Sequence, residues 1–352
     1  MSHNRPVGID QIPAFHTVID ARSPSEFALD HLPGAINCPV LDDEERRIVG
    51  TLYKQQGSFE ARRVGGAMVA SNLARHLRER FHDQPADWRP LVYCWRGGLR
   101  SGSMVQWMRL VGWDAQQLAG GYKRFRGHVI AQIDALAPQL PLQVLCGPTG
   151  SAKTALLHAL AAQGEQVLDL EGLAVHKGSV LGKVPDAPQP SQKRFETLLA
   201  EQLQALDLDR PVFVEAESRK IGQISLPTRL LERLRASPCI EIVASPEARL
   251  SYLLRDYAYL GADPVRLAET LGQLHGLQSS ETVHRWQAWA LAGELRPLFA
   301  ELMALHYDPL YARSQNGHYL RLNDARQVQA AALEAATLAS VAAGIVRVSS
   351  IP

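Results

Sequence analysis

The sequence lacks the features that would mark a membrane, secreted or disordered protein. No apolar run reaches about 18 residues, so we expect no membrane-spanning helix and no membrane partner. Residues 1–17 (MSHNRPVGIDQIPAFHT) lack the apolar core of a secretory signal, so we expect a cytoplasmic location. With 46% hydrophobic and 21% charged residues, the composition is that of an ordinary globular protein, and 352 residues allow two or three domains.

Cysteine is scarce, and one sign of charge does not dominate. The four cysteines (Cys38, Cys94, Cys146 and Cys239) lie far apart, without CxxC or metal-ligand spacing. In a reducing compartment we expect them to be free thiols. The net charge of +1 neither requires nor excludes a nucleic-acid partner, because local patches matter more than the total.

What the sequence does contain is an alternation of short apolar strands and helices, repeated in two successive units. The first unit ends near residue 128, and the second begins with the apolar segment PLQVLC. Strands separated by helices indicate parallel sheets, so the expected fold class is α/β. From 246 to 345 the pattern is almost entirely helical.

The first motif is a cysteine at the end of a buried strand, in the segment YCWRGGLRS (93–101). Two glycines let the loop curl so that backbone N–H groups point inward, a helix begins near its end, and two arginines add positive charge. Such a cradle stabilises a thiolate at Cys94 and binds a tetrahedral anion. The alternative is an inert buried cysteine. The cradle residues are Arg96, Gly97, Gly98, Arg100 and Ser101.

The second motif, GPTGSAKT (147–154), matches the P-loop pattern G-x4-G-K-[ST] except at Ala152. It follows an apolar strand and precedes a helical stretch, which is the context that this motif requires. Backbone N–H groups would hold two linked phosphates, Lys153 would neutralise their outer oxygens, and Thr154 could reach a magnesium ion. An alanine at 152 matters if its backbone needs a positive φ. The alternative is a strand–turn–helix without a ligand. The candidate diphosphate-binding residues are Gly147, Thr149, Gly150, Ser151, Ala152, Lys153 and Thr154.

Further candidates lie in segments after the P-loop. The strand RPVFVEAES (210–218) ends with Glu215 and Glu217 instead of a Walker-B aspartate. These glutamates either hold magnesium or are solvated or ion-paired with Arg219 and Lys220. Two loops carry candidates for contact with a diphosphate or a nucleic-acid backbone, the alternative being solvated loops. Their residues are His176, Lys177, Ser179, Ser218, Arg219 and Lys220.

The segment VIDARSPSEFALDHLPGAIN (18–37), together with the Cys94 loop, resembles the rhodanese-like domain. The resemblance implies that Asp20 and Arg22 are structural and that Cys94 is the persulfide-forming cysteine. In typical sulfur-transfer loops the arginine lies one residue nearer the cysteine. The longer Cys-x5-Arg-Ser spacing here resembles rhodanese-related phosphatases and indicates a roomier anion pocket.

Both loops, with LDLEGLAVHKGSVLG (168–182), VEAESRKIGQISLP (214–227) and LHYDPLY (305–311), resemble the tRNA 2-selenouridine synthase family over essentially the whole chain. In that family the P-loop usually reads GSGKT, so Ala152 is a departure. The resemblance implies a transferase that acts on a tRNA wobble uridine in two steps. Geranyl diphosphate alkylates the sulfur of 2-thiouridine, and selenium from selenophosphate then replaces the geranylthio group to give 2-selenouridine. Cys94 would either carry selenium or only bind and activate selenophosphate.

In these terms the sequence predicts two α/β domains, a linker and a C-terminal part. They are a rhodanese-like domain (1–128), a connecting helix (129–139), a P-loop NTPase-like parallel-sheet domain (140–245) and a helical C-terminal part packed on it (246–352). No tightly bound cofactor is expected, although Mg²⁺ near Thr154 is a candidate. The implied partners are tRNA and, as a candidate, a selenophosphate-supplying enzyme.

Two segments with aromatic residues are further candidates for ligand contacts. Tyr122–Arg126 (YKRFR) is basic and aromatic, so it is a candidate for contacts with RNA phosphates and bases, with a solvated helix face as the alternative. Trp286 and Trp289 share a helix face, which favours a place in the core over a geranyl slot.

Two rival functions remain from the sequence. The first is a Cys-x5-Arg sulfurtransferase or phosphatase with a regulatory P-loop domain. The second is a non-catalytic RNA-binding protein, against which the intact Cys94, Lys153 and Thr154 argue.

Overall fold

The computed structural model describes residues 7–349, without the side chains of 314–317 and 348–349. The chain divides into two compact units, with the boundary between Gln132 and Ile133. Within 7–349, no helix has both the length and the apolar character needed to cross a membrane.

Unit 1 is built on a parallel sheet of four strands in the order β2-β1-β3-β4. The strands are β1 (Thr17–Asp20), β2 (Ile36–Asn37), β3 (Pro90–Tyr93) and β4 (Gln116–Gln117). Helices cover the sheet, so the central strand β3 is buried along its whole length. A 3₁₀ segment (Ile9–Ala14) precedes the helices, which are α1 (Pro24–Leu29), α2 (Asp43–Gln55), α3 (Ser58–Glu79), α4 (Leu99–Val111) and α5 (Gly121–Leu136).

A buried ion pair, Asp20–Arg22, holds the end of β1. The Arg22 guanidinium donates to the Asp20 carboxylate at 2.6 Å and to the backbone carbonyl of Asp30 at 2.7 Å. It also lies 3.8 Å from the centre of the Tyr122 ring, and the Tyr122 hydroxyl donates to Asp30. With its donors satisfied and its partners buried, this arginine is structural, as the resemblance to the rhodanese-like domain implies.

Unit 2 contains a parallel sheet of five strands in the order β11-β10-β5-β7-β6. These are β5 (Leu142–Cys146), β6 (Gln166–Leu168), β7 (Val212–Glu215), β10 (Cys239–Val243) and β11 (Arg326–Gln329). A separate antiparallel hairpin pairs β8 (Lys220–Ile221) with β9 (Ile224–Ser225). The helices that flank these strands are α6 (Lys153–Ala161), α7 (Leu170–Ala174), α8 (Gln192–Ala205) and α9 (Thr228–Ala236), and 3₁₀ turns occupy Ala137–Gln139 and Ala258–Ala262.

Two apolar clusters form the core of unit 2. One lies between the sheet, helix α6 and the last helix of the chain, Ala335–Ser349. The other lies among the four helices and the π-helical turn that follow β10, within residues 246–307. Trp286 is completely buried in the second cluster, which confirms its predicted place in the core. The helices after β10 are α10 (Pro246–Asp256), α11 (Pro264–Gly272), α12 (Ser280–Ala292), α13 (Leu295–Glu301), a π-helical turn (Leu302–Tyr307), α14 (Asp308–His318) and α15 (Ala335–Ser349).

The expectation of an almost entirely helical segment from 246 to 345 is wrong at one place. Residues Arg326–Gln329 form β11, which pairs in parallel with β10 and closes one edge of the sheet. The segment RQVQ has one apolar residue in four, and its burial alternates between partial and exposed, because an edge strand has a neighbour on one side only. So short and polar a strand has no recognisable pattern in the sequence.

Candidate active sites

The Cys94 loop joins β3 to α4 and encloses the sulfur. Cys94 is only 3% exposed, and the Ser101 hydroxyl donates to its Sγ at 3.1 Å. The side-chain amide of Gln117, on β4, donates to the Ser101 Oγ at 2.8 Å and to the Gly98 carbonyl at 3.0 Å. Two successive hydrogen bonds therefore connect Gln117 through Ser101 to the sulfur. Gln117 was missed by the sequence analysis, because it lies on another strand.

The start of α5, at the glycine pair Gly120 and Gly121, contacts this loop through backbone hydrogen bonds. The N–H groups of Tyr122 and Lys123 donate to the carbonyls of Cys94 and Trp95, both at 2.9 Å. Gly121 has a φ of +57°, and a Cβ on it would lie 2.2 Å from the Cys94 carbonyl oxygen. The backbones approach so closely that only glycine fits.

The two arginines of this loop differ in their surroundings. Arg100 donates to the Glu26 carboxylate at 2.7 Å, and Arg46 pairs with the same carboxylate. Burial acts to raise the pKa of Glu26, but the hydrogen bond and charge of Arg100 outweigh it and lower that pKa. That Arg100 serves an anion therefore stays a prediction, and its charge is compensated by Glu26 in this state. Arg96 is exposed, and its side chain has no hydrogen bond or ion pair with the described part of the chain.

The P-loop lies between the carboxyl end of β5 and the start of α6. Gly150 has a φ of +85°, and Ala152 has a φ of +58° and a ψ of +35°. Ala152 therefore occupies the left-handed conformation that favours glycine, at a cost of roughly 1–2 kcal/mol. Its buried methyl group offsets about 0.8 kcal/mol of this. The cradle keeps its shape, and the Lys153 Nζ turns back to donate to the Gly147 carbonyl at 2.9 Å.

A buried arginine from a different helix, α10, forms hydrogen bonds with the P-loop. Arg249, on α10, donates twice to the Thr149 carbonyl, at 2.8 and 3.0 Å, and binds the Asp308 carboxylate at 2.6 Å. The Thr149 carbonyl is therefore bound by a side chain from outside the loop. Sequence reasoning did not select Arg249 or Asp308, since both are far from the P-loop in the chain.

Three carboxyl groups cluster beside Lys153 and Thr154. One oxygen from each of Glu171, Glu215 and Glu217 lies within 4.8 Å of the others, and the Thr154 hydroxyl donates to Glu171 at 3.2 Å. Glu171, on α7, was not selected from the sequence. Burial, and then the charge of a neighbouring carboxylate, raises the pKa of each of the three to about 8.

The burial of these side chains decides between the two alternatives left open for them. Glu215 is 1% exposed, and neither of its carboxylate oxygens has a hydrogen-bond partner among the described residues. Glu217 is buried as well, whereas Arg219 and Lys220 are exposed. The interpretation of Glu215 and Glu217 as solvated or paired with Arg219 and Lys220 is therefore wrong. Buried oxygens without partners suit a hard cation with oxygen ligands, such as Mg²⁺.

The P-loop opens into a cavity of about 590 Å³. Its lining includes the P-loop with Glu171 and Glu217, and also the larger side chains of Tyr252, Leu253 and Tyr257. Of the loop candidates, Lys177, Ser179 and Ser218 line the cavity, whereas His176, Arg219 and Lys220 are not among its lining residues.

Two of these loop candidates already have partners or are buried. Lys177 forms an ion pair with Asp256 at 2.7 Å, so its charge is compensated in this state. His176 is buried, and burial lowers its pKa.

The candidate RNA contact at Tyr122–Arg126 needs correction. Tyr122 and Phe125 are 1% and 6% exposed, so their rings cannot stack on bases. Arg126 is buried and lies 3.7 Å from the Asp30 carboxylate. Only Lys123 and Arg124 face solvent, because the aromatic residues of this amphipathic helix are needed for the core of unit 1.

Comparison with known proteins finds a family model that matches the region around each loop. Residues 9–128 match the family model of the rhodanese-like domain, and residues 140–285 match that of the tRNA 2-selenouridine synthase AAA domain. The sequence is 41% identical to the tRNA 2-selenouridine synthase of Nitrosomonas europaea over 72% of this chain and 68% of that protein. The chain belongs to the tRNA 2-selenouridine synthase family.

Other members of the tRNA 2-selenouridine synthase family match over similar or longer spans. The protein of that name from Nitrosomonas eutropha is 38% identical over 76% of this chain and 70% of its own length. That from Cupriavidus pinatubonensis is 37% identical over 85% and 81%. Cys94 lies in the rhodanese-like match and the P-loop in the AAA match, so the two candidate sites belong to different domains of the family.

Replacing Gly121 with alanine should disrupt the Cys94 loop. The added Cβ meets a backbone carbonyl at 2.2 Å and the residue keeps a positive φ, so we expect a loss of about 2 kcal/mol or more in unfolding free energy. Gly127→Ala, in open space within the same helix, is the matched control and should stabilise by about 0.5–1 kcal/mol. Denaturant unfolding measures both, and equal effects would contradict the assigned role of Gly121.

Because of the carboxyl cluster, we expect the free energy of unfolding to decrease as pH rises when no cation is bound. The unfolded chain releases these protons near pH 4.5, whereas the folded cluster holds them to about pH 8. Stability should therefore fall as pH rises between these values. Thermal unfolding in EDTA at pH 5 to 8 measures this, and added Mg²⁺ should restore stability mainly at the alkaline end.

Glu215→Gln removes one of the repelling groups. At pH 8 without metal, this variant should be more stable by about 1 kcal/mol, roughly 2–4 °C in Tm, and should gain less from Mg²⁺. Glu232→Gln, at an exposed position outside the cluster, should change neither quantity. An unaltered Mg²⁺ response in Glu215→Gln would show that this carboxylate does not hold the ion.

Proposed function

We propose that this chain converts 2-thiouridine at the wobble position of tRNA to 2-selenouridine in two steps. The first step is S-geranylation by geranyl diphosphate at the P-loop, and the second is exchange of the geranylthio group for selenium at the Cys94 loop. Membership of the tRNA 2-selenouridine synthase family supports the overall reaction. The division between two sites rests on the presence of one anion-type loop in each domain.

The observation that carries the first step is the mixed lining of the cavity at the P-loop. The P-loop residues share the cavity with aromatic and aliphatic side chains, among them Tyr252, Leu253 and Tyr257. Such a cavity suits a diphosphate esterified with an apolar group. The absence of an N-K-x-D guanine-reading motif is consistent with a ligand other than a guanine nucleotide.

In the first step, the sulfur of 2-thiouridine attacks the allylic carbon of geranyl diphosphate. The carbon–sulfur bond forms, the carbon–oxygen bond breaks, diphosphate leaves, and the N3 proton passes to solvent. Backbone N–H groups of the P-loop stabilise the charge that develops on the leaving oxygens. Lys153 exchanges its contact with the Gly147 carbonyl for a phosphate oxygen.

The residues beside the P-loop fit a magnesium ion. Glu171, Glu215 and Glu217, with the Thr154 hydroxyl, would hold it, since hard cations prefer such oxygen ligands. When bound, the ion neutralises part of the diphosphate charge. Without it, the three carboxyl groups hold their protons to about pH 8, and above that pH their charge would repel the anion that Lys153 attracts.

In the second step, selenium of selenophosphate adds to C2 of the geranylated base, geranylthiol leaves, and water cleaves the selenium–phosphorus bond to release phosphate. Phosphorus keeps its oxidation state throughout. A sulfur–selenium bond on Cys94 would need an additional oxidant, which neither substrate supplies. Of the two roles open for Cys94, we therefore favour binding and activation of selenophosphate, with Arg96 as the uncompensated cation of the loop.

The rival phosphatase function is less compatible with this loop. A Cys-x5-Arg phosphatase needs the arginine of that motif for its phosphate substrate. Arg100 is instead bound to Glu26, which is paired with Arg46 as well.

Mass spectrometry of tRNA nucleosides tests the proposed function. The purified full chain is incubated with 2-thiouridine-containing tRNA, geranyl diphosphate and Mg²⁺, with and without selenophosphate. We expect S-geranyl-2-thiouridine without selenophosphate and 2-selenouridine with it. No product in either reaction, together with turnover of thiosulfate or a phosphate ester, would favour the rival function.

Cys94→Ser separates the two steps. Serine keeps the size of the side chain but replaces the ionisable, polarisable sulfur with a hydroxyl oxygen that stays neutral, so binding and activation of selenophosphate should weaken and selenation should fall by about 100-fold or more. Geranylation should stay within about twofold of the native rate, because it uses the P-loop. A Cys94→Ser protein that still makes 2-selenouridine at the native rate would remove Cys94 from the reaction.

A further inference from the structure

A second, smaller pocket opens from the P-loop cavity. It shares five lining residues with the cavity, which therefore form its mouth: Thr149, Ser179, Leu253, Tyr257 and Tyr307. Thr149 belongs to the P-loop itself. The mouth of the pocket thus begins where a bound diphosphate would end.

Four further residues line the pocket but not the cavity, so they form its closed end. They are Leu181, Phe299, Leu302 and Met303, all buried and all apolar. Phe299 lies on α13, and the next two lie on the π-helical turn Leu302–Tyr307. Positions 299, 302 and 303 are three and four apart, which places their side chains on one helix face.

The mouth of the pocket carries the polar side chains of Thr149 and Ser179 beside the rings of Tyr257 and Tyr307. The surface that the pocket exposes is nevertheless entirely apolar. The interior beyond them contains no polar side chain. A dry pocket of this kind takes hydrocarbon and excludes charged or hydrogen-bonding groups.

We propose that this pocket, which we call the chain pocket, holds the far end of the hydrocarbon of an isoprenyl diphosphate whose remainder lies in the P-loop cavity, and that Phe299, Leu302 and Met303 limit the length of that chain. The proposal rests on the proposed function, because it assigns the apolar part of the same substrate. Its basis is the continuity of an anion cradle with a closed apolar pocket.

The chain pocket is much smaller than the cavity from which it opens. The cavity has a volume of about 590 Å³, and the pocket adds about 20 Å³, which is room for about one methyl-sized group. Most of a hydrocarbon chain would therefore lie along the cavity, and only its end would enter the chain pocket. A chain that is too long needs the closed end to move.

The chain pocket is not the apolar slot considered from the sequence. Trp286 and Trp289 do not line it, and Trp286 packs in the core with its indole N–H donated to Glu301. The pocket is formed by residues from a loop, from α10 and from the α13 region, which are distant in the chain.

Calorimetric titration tests the proposal on the full chain with Mg²⁺, using pyrophosphate, geranyl diphosphate and farnesyl diphosphate as probes. The native protein should bind geranyl diphosphate about tenfold or more tightly than pyrophosphate, because the chain is buried. Met303→Ala opens the closed end and should shift the farnesyl-to-geranyl affinity ratio toward farnesyl by about tenfold. Leu181→Phe fills the pocket and should weaken geranyl diphosphate while leaving pyrophosphate unchanged.

Leu271→Ala is the matched control for the enlarged variant. Leu271 is fully buried in the same apolar cluster but does not line the pocket, so its truncation should lower stability without changing the affinity ratio. A ratio of affinities is insensitive to a modest unfolded fraction. If Met303→Ala fails to fold, Leu181→Phe still decides the question.

The outcomes separate this proposal from the proposed function. Equal affinity for pyrophosphate and geranyl diphosphate, or the same ratio in Met303→Ala as in native protein, would overturn the chain pocket even if tRNA is geranylated. Chain-dependent binding that responds to Met303→Ala, without any transfer to tRNA, would uphold the pocket and overturn the proposed function.

Discussion

Three carboxyl groups packed together beside the P-loop set the main electrostatic constraint on this protein. Glu171, Glu215 and Glu217 cannot all be charged in a buried space without a compensating cation. Their raised pKa values show that, without a cation, the site disfavours the charged form of each carboxyl group. A cation bound at the cluster would compensate that charge, and a diphosphate in the proposed P-loop site would share it.

The same local architecture produces both candidate sites. In each unit a buried parallel strand ends in a glycine-containing loop, and a helix begins directly after it. Backbone N–H groups and the positive end of the helix then face one point in space. The loops differ in what surrounds them. The Cys94 loop is enclosed by Gln117 and Ser101, whereas the P-loop is pinned by Arg249 and opens into a cavity.

The structural features that could be predicted from the sequence are those formed by residues that follow one another in the chain. Both loops, the strands before them and the helices after them carry local signals, and Ala152 was correctly singled out by its place in the pattern. Residues that reach a site from elsewhere in the fold carry no such signal. Glu171, Arg249 and Gln117 became visible only when the parallel strands and their helices were assembled.

The errors have equally local causes. A basic and aromatic stretch such as Tyr122–Arg126 has the composition of an RNA contact, but an amphipathic helix turns its rings inward. The strand β11 is too short and too polar to be distinguished from a loop.

The central claim is that the P-loop serves the first step and the Cys94 loop the second. The most direct test gives a Lys153→Ala protein two substrates, 2-thiouridine tRNA with geranyl diphosphate and tRNA that already contains S-geranyl-2-thiouridine, each with selenophosphate. Nucleoside mass spectrometry should find 2-selenouridine from the geranylated tRNA at close to the native rate, and almost none from the thiolated tRNA. Equal loss of product from both substrates would contradict the division of the two steps between the two loops.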